Sequence, residues 1–301
     1  MGLPYNKDRV PPWPRIPIGR LSLPPWMLNP LSLMSRTGVS AVKCKGEYSG
    51  GNRARSRRPV VSIRLRGFVM SPKTVGIIGG LGPMATVAFM NSVLEHTPIK
   101  SNRDHLHMIV DCNPKVPDIN AAILGTGPSA AAALVAGGRR LETAGADFIV
   151  MVCNAAHVYE DELRRAVAVP FISMIEETVR TIRSDTPQCR RVGLLATDGC
   201  LRSNLYQEGL ASVDLIPVLQ TDDELGRLML ALSRITAGDI SHAIRFEILS
   251  LIDALAERGA ETIVLACSEI ALVGLDAGID VPAIDPCLVL AKTTVRTALG
   301  G

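Results

Sequence analysis

No apolar run in this chain of 301 residues approaches the ~18 residues that a membrane-spanning helix needs, so a membrane partner is not expected. Residues 21–34 are apolar but interrupted by Pro24, Pro25 and Pro30, which makes a poor signal-peptide core. The chain also lacks any CxxC pair. Its seven cysteines, Cys44, Cys112, Cys153, Cys189, Cys200, Cys267 and Cys287, are odd in number and scattered. That excludes a disulfide framework, offers no metal spacing and implies reduced thiols in the cytoplasm. From residue 70 onward a basic surplus is missing as well. Residues 1–69 hold 13 Lys/Arg against 2 Asp/Glu, leaving 19 against 27 for the rest. An acidic body without a basic stripe argues against nucleic acid as a partner.

What is present divides unevenly. Residues 1–69 carry 9 of the 20 prolines, both tryptophans and the cluster Arg53, Arg55, Arg57 and Arg58. This Pro/Arg-rich leader is expected to be disordered or not part of the mature protein, with a transit peptide or an anion-binding tail as alternatives. Met70, directly before Ser71-Pro72-Lys73, stands where a natural start would fall. The remainder draws on a composition that is 47% hydrophobic, ample for a large core.

From residue 74 apolar β-like runs alternate with helical patterns. Strands are expected at 74–79, 107–112, 147–152, 170–172, 192–196, 215–218, 262–266 and 282–284. The pattern predicts a polar loop over 113–127, a helix over 155–167 and one continuous helix over 199–210. Alternation of this kind implies parallel sheets covered on both faces. The fold class is therefore α/β, with two similar pseudo-symmetric lobes, each a parallel sheet flanked by helices, and an active site in the inter-lobe cleft. The first lobe is expected to comprise 70–172 plus 284–301, the second 173–283.

The lobes are read as copies because the sequence echoes itself. Val75-Gly76-Ile77-Ile78 matches Val192-Gly193-Leu194-Leu195, and Val169-Pro170-Phe171-Ile172-Ser173 matches Val281-Pro282-Ala283-Ile284-Asp285. Gly145-Ala146-Asp147-Phe148-Ile149-Val150-Met151-Val152-Cys153 matches Gly259-Ala260-Glu261-Thr262-Ile263-Val264-Leu265-Ala266-Cys267. Both runs end in a cysteine followed by a hydrogen-bonding residue, Asn154 or Ser268. A thiol at a strand end lies near the amides of the next helix, which favour thiolate. Two such groups facing one substrate can remove a Cα proton from one face and return a proton to the other. That is the requirement of a racemase, and it needs neither a cofactor nor a metal. The alternative is that both cysteines are structural, since free cysteine is a commonly buried residue.

These motifs identify a resemblance. Gly76-Ile77-Ile78-Gly79-Gly80-Leu81-Gly82-Pro83-Met84-Ala85-Thr86, Met151-Val152-Cys153-Asn154-Ala155-Ala156-His157, Ser173-Met174-Ile175-Glu176-Glu177-Thr178 and Ala266-Cys267-Ser268-Glu269-Ile270 resemble the aspartate/glutamate racemases that work without pyridoxal phosphate. The resemblance implies a small-molecule amino-acid substrate, no cofactor, a homodimer, and Cys153 and Cys267 as the two bases. It implies substrate contacts from Gly80, Leu81, Gly82, Asn113, Asn154, Ala155, Ser268 and Glu269. His157 and Glu269 are the candidates for tuning the thiols, with an outward-facing His157 as the bland alternative.

Some family features are missing. Where these racemases carry Pro-Asp-Arg-Thr, this chain has Pro117-Asp118-Ile119-Asn120, and the lost arginine is the one that grips a second carboxylate. Ala155 replaces a threonine. Thr236 stands where many aspartate-specific members have lysine, and Lys115 is the remaining nearby cation. Aspartate is therefore not the expected substrate. Two rivals remain. One is an NAD(P)-dependent oxidoreductase, suggested by the GxGxxA-like turn at Gly80 with Asp111 ending the next strand. The other is a relative that binds ligand without turnover.

Overall fold

The computed structural model describes residues 71–275 and 280–301. The leader expectations fall outside the described residues, as does Cys44. Each apolar run of the body has become a strand. β1 (Val75–Gly79), β2 (Met108–Cys112), β3 (Phe148–Met151) and β4 (Phe171–Ile172) form one sheet in the order β2-β1-β3-β4. β5 (Arg191–Ala196), β6 (Ile216–Leu219), β7 (Thr262–Ala266) and β8 (Ala283–Ile284) form a second in the order β6-β5-β7-β8. Every pairing is parallel. The same order and the same sense in both sheets make the internal repeat visible in three dimensions. β1, β3 and β7 are buried along their whole length, as strands covered on both faces must be.

The helices supply that cover. α1 (Pro83–His96) starts on a proline, whose ring presets the first turn and whose missing N–H leaves no orphan donor. α2 (Ile119–Ile123) and α3 (Ala131–Thr143) follow, then α4 (Glu160–Ala166) and α5 (Met174–Asp185). In the second half come α6 (Asp198–Arg202), α7 (Leu205–Ala211), α8 (Asp222–Thr236) and α9 (His242–Glu257). α8 opens with a capping box between Thr221 and Glu224, and the Glu224 carboxylate also takes both guanidinium branches of Arg258 at 2.6 and 2.7 Å. α10 (Pro286–Ala298), capped by Asp285, leaves the second sheet and packs on α1 and α5. Its Leu290, Ala291 and Val295 join Val75, Ile77 and Phe89 of the first sheet's core. The nearly buried carboxylate of Glu177 on α5 accepts from Thr293 and Arg296 of α10, both at 3.1 Å.

Three helical expectations were revised by local chemistry. α2 forms inside the stretch expected to be loop, because the Asp118 carboxylate caps it by accepting from Ala121 N–H at 2.7 Å. The segment after Cys153 is a tight 3-10 turn, Ala155–Tyr159, before α4 begins. The helix expected over 199–210 is broken at Asn204, which sits at φ 56°, a left-handed conformation that asparagine tolerates better than most residues.

Candidate active site

The carboxyl ends of β1, β3, β5 and β7 converge on one cavity of about 480 Å³. A crevice at strand C-termini is the general ligand site of open α/β sheets. β1 delivers Gly80, Leu81 and Gly82; β3 delivers Cys153, Asn154 and Ala155; β5 delivers Thr197; and β7 delivers Cys267, Ser268 and Glu269. The floor and side wall come from Asp118 and Ile119 at the start of α2 and from one face of α8, including Met229, Leu232 and Thr236.

Of the two glycines in the turn after β1, Gly80 is required by contact. Gly80 has φ +85° and its α-carbon lies against the Asn113 backbone, where a Cβ would come within 2.3 Å of the Asn113 nitrogen. A Cβ on Gly82 would meet the Glu269 carboxylate at 2.2 Å. Glu269 therefore spans from the second sheet to the first sheet's turn. Its Oε2 accepts from Cys267 Sγ at 3.2 Å and from Ser268 Oγ at 3.1 Å.

Both thiols are held protonated by their surroundings. Burial pushes the Cys153 thiol up to about 12 and the Glu269 charge adds to this, while the amides of Ala156 and Ala155 pull the other way. Cys153 still meets the cavity, being half-buried. Burial followed by the Glu269 charge raises Cys267 well above its ordinary value too, and Cys153 is near enough to contribute. The sequence reading put the helix-end amides first. Those amides are in place, but desolvation outweighs them.

His157 and Asn113 have other work. His157 is buried, not outward-facing. Its Nδ1 lies 2.8 Å from the carbonyl of Cys153, and Met174 N–H donates to its Nε2 at 3.0 Å. That assigns the proton to Nδ1 and a neutral ring, consistent with a value lowered first by burial. The ring fixes the backbone of Cys153. Asn113 does not line the cavity; its N–H donates to Gly79 and its Oδ1 accepts from Lys115 N–H, which builds the turn behind Gly80.

Ala155, Ile119 and Thr236 all line the cavity, so the substitutions noted in the sequence fall on its wall. Thr236 Oγ1 is turned to the Leu232 carbonyl at 3.0 Å. Lys115 is not part of the lining. Among the described residues the lining holds two carboxylates, Asp118 and Glu269, and no lysine or arginine. Cys112 ends the edge strand β2 and is exposed, away from the cavity, while Cys189, Cys200 and Cys287 are buried.

The sequence reading missed Tyr206. This buried residue of α7 donates from its hydroxyl to Asn154 Oδ1 at 2.6 Å, leaving Asn154 Nδ2 without a partner. Only the hydrogen-bonding character of Asn154 hinted that a buried partner was needed.

The dinucleotide reading of the β1 turn fails on charge. The Glu269 carboxylate occupies the approach to Gly82 that a pyrophosphate would need, and Asp111 is paired with Arg140 at 2.6 Å. No group of three or more potential metal ligands occurs among the described residues, and no described helix is long and apolar enough to cross a membrane.

Two parallel sheets of identical order, with a shared cavity at their carboxyl ends, define a two-lobed α/β protein. The family model for Asp/Glu/hydantoin racemase matches residues 78–294, and the chain belongs to that family. It is 26% identical over 231 residues to the broad specificity amino-acid racemase RacX of Bacillus subtilis, covering 75% of this chain and 98% of that one. The Picrophilus torridus aspartate racemase structure is similar at a TM-score of 0.68 and 27% identity, over 75% of this chain and 94% of that one. A Francisella tularensis glutamate racemase in complex with D-glutamate shares the fold at a TM-score of 0.54 and 17% identity, over 75% of this chain and 81% of that one.

Proposed function

We propose that this racemase inverts amino acids by two-base proton transfer between Cys153 and Cys267, without a cofactor. The observation that carries the reading is that equivalent strands of the repeat, β3 and β7, end in cysteines that line one cavity. Glu269 is placed to take the Cys267 proton. The resulting thiolate removes the Cα proton from one face of the substrate, and the Cys153 thiol protonates the other face. In the reverse direction Cys153 acts as the base and Cys267 as the acid. The substrate ammonium favours a thiolate beside it and is itself favoured by Asp118. Its α-carboxylate suits the unpartnered Asn154 Nδ2 and the amides of the 80–82 turn.

The substrate in this reading carries one carboxylate. A second would meet Ile119 and Thr236 in a wall that already holds two carboxylates, and a buried charge without its partner costs several kcal/mol. The broad specificity in the name of the Bacillus relative is compatible with such a site. A homodimer in the cytoplasm completes the proposal, and sedimentation and cell fractionation test those two points.

Incubation with each L-amino acid in D₂O, followed by mass spectrometry and chiral analysis, tests the chemistry. Deuterium at Cα together with the D-enantiomer is the expected result. Absence of exchange across the whole set would overturn the reading.

A further inference from the structure

We infer that Tyr206 is a positioning residue for carboxylate recognition: its hydroxyl occupies the acceptor end of the Asn154 side-chain amide and leaves the N–H end for an anion. The inference rests on the racemase reading for the identity of that anion, the substrate α-carboxylate, and goes beyond it in naming what sets the polarity of the site.

A side-chain amide has an acceptor at one end and donors at the other, and the two orientations have nearly the same shape. Nothing intrinsic to asparagine chooses between them; the neighbours do. Tyr206 O–H donates to Asn154 Oδ1 at 2.6 Å, and both side chains are almost completely buried. The acceptor end is thereby consumed. Asn154 Nδ2 is left buried and without a partner, on a residue that lines the cavity. A buried donor with no partner in the protein calls for a water or a ligand. The opposite orientation would turn a carbonyl oxygen toward a carboxylate and repel it.

The phenol is well suited to the task. Tyr206 lies in the second residue of α7, directly after the left-handed Asn204-to-Leu205 corner, and sits in the same core cluster as Ala155 and Ala156. Burial first of all pushes its ionisation well above the ordinary value, so the hydroxyl keeps its proton throughout the physiological range. With His157 fixing the Cys153 carbonyl, Cys153 and Asn154 are each held by one buried side chain.

The test compares acids with their amides. Neutral L-amino acids, led by L-methionine, and the corresponding α-carboxamides, led by L-methioninamide, are titrated calorimetrically into wild type, Tyr206→Phe, Asn154→Ala and the double variant. Wild type is expected to prefer the acid. Tyr206→Phe should lose about tenfold of that preference, the worth of one hydrogen bond to a charged group, with KM rising more than kcat falls. In the Asn154→Ala background the same change should have no further effect, which a merely structural tyrosine would not reproduce. If Tyr206→Phe does not fold, Asn154→Asp serves: it keeps the acceptor for Tyr206 and puts an anion in place of the donor, so acid binding must fall while amide binding persists. An unchanged acid preference in Tyr206→Phe, additive effects in the double variant, unchanged acid binding in Asn154→Asp, or no binding of any acid by wild type overturns the inference. Acid binding without Cα exchange in D₂O would instead overturn the racemase reading and leave the Tyr206 arrangement standing.

Discussion

The Oε2 of Glu269 lies 3.2 Å from the Sγ of Cys267 and accepts its hydrogen bond, while Oε1 of the same carboxylate lies against Gly82 on the other side of the cavity. One side chain thus touches the thiol of the second sheet and the turn of the first. Its charge also raises both Cys153 and Cys267. In the proposed mechanism Glu269 would accept the proton of one thiol, and its charge restrains the ionisation of both.

Glu269→Gln separates these two effects. Racemisation at neutral pH should fall by roughly 10²–10⁴, the usual contribution of a positioned acid–base group. Both thiols should ionise more easily without the negative charge, so activity should recover in part as pH rises. A pH–rate profile checks this; neutral activity equal to wild type would count against Glu269 as the acceptor.

Cys153→Ala and Cys267→Ala should each abolish racemisation. Loss of a sulfur from these sites costs only on the order of 1 kcal/mol, so both variants should unfold cooperatively. Each is expected to retain Cα deuterium exchange from one enantiomer only, and opposite ones. Near wild-type racemisation by either variant would refute the two-base mechanism.

Ile119→Arg should shift preference toward aspartate or glutamate by ~10² relative to neutral amino acids, because it supplies the cation that the wall lacks. Ile119 is only 7% exposed, so the variant should also be less stable than wild type. Competition assays with mixed substrates measure the shift. Efficient turnover of aspartate by the unmodified protein would show that another cation does this work.

Alkaline pH should destabilise the fold. Burial raises Cys200 to about 12, above the ~8.5 of an unfolded thiol, so the unfolded state releases its proton first. Stability from this thiol is fully present below about pH 8.5 and lost as pH rises toward 12, by up to ~1.4 kcal/mol per pH unit. Urea unfolding at pH 8, 9, 10 and 11 should give a steeper decline for wild type than for Cys200→Ala. Parallel declines would contradict the assignment.

Much of the architecture could be read directly from the residues. Strands β1, β3, β5 and β7 are continuous apolar runs, and their echo announced the repeat that places Cys153 and Cys267 at one cavity. The breaks were harder. Pro114 and Pro117 suggested loop, yet the Asp118 cap suffices for a turn of helix, and the left-handed Asn204 is a backbone choice that side-chain periodicity does not register. Within the site, the direction of the thiol shifts was misjudged because helix-end amides follow from sequence order, whereas desolvation depends on tertiary packing. Tyr206 was invisible for the same reason. Its partner lies on another sheet's loop, and no local spacing links the two.

The chain passes between the two sheets twice, once through α5 after β4 and once through α10 after β8, which returns to pack on α1. Two covalent crossings restrict how the sheets could move against each other. A body joined at one point can swing in any direction, but one joined at two is confined to rotation about the line between them. The Glu177 carboxylate ties α5 to α10, the two crossing segments, so that line is itself braced. Substrate entry by this route would open the cavity as a book opens on its spine, and the cysteines on the facing pages would separate and return along a single path. Racemisation, which in the proposed mechanism needs the two thiols on opposite faces of one carbon, would then depend partly on a buried carboxylate outside the cavity.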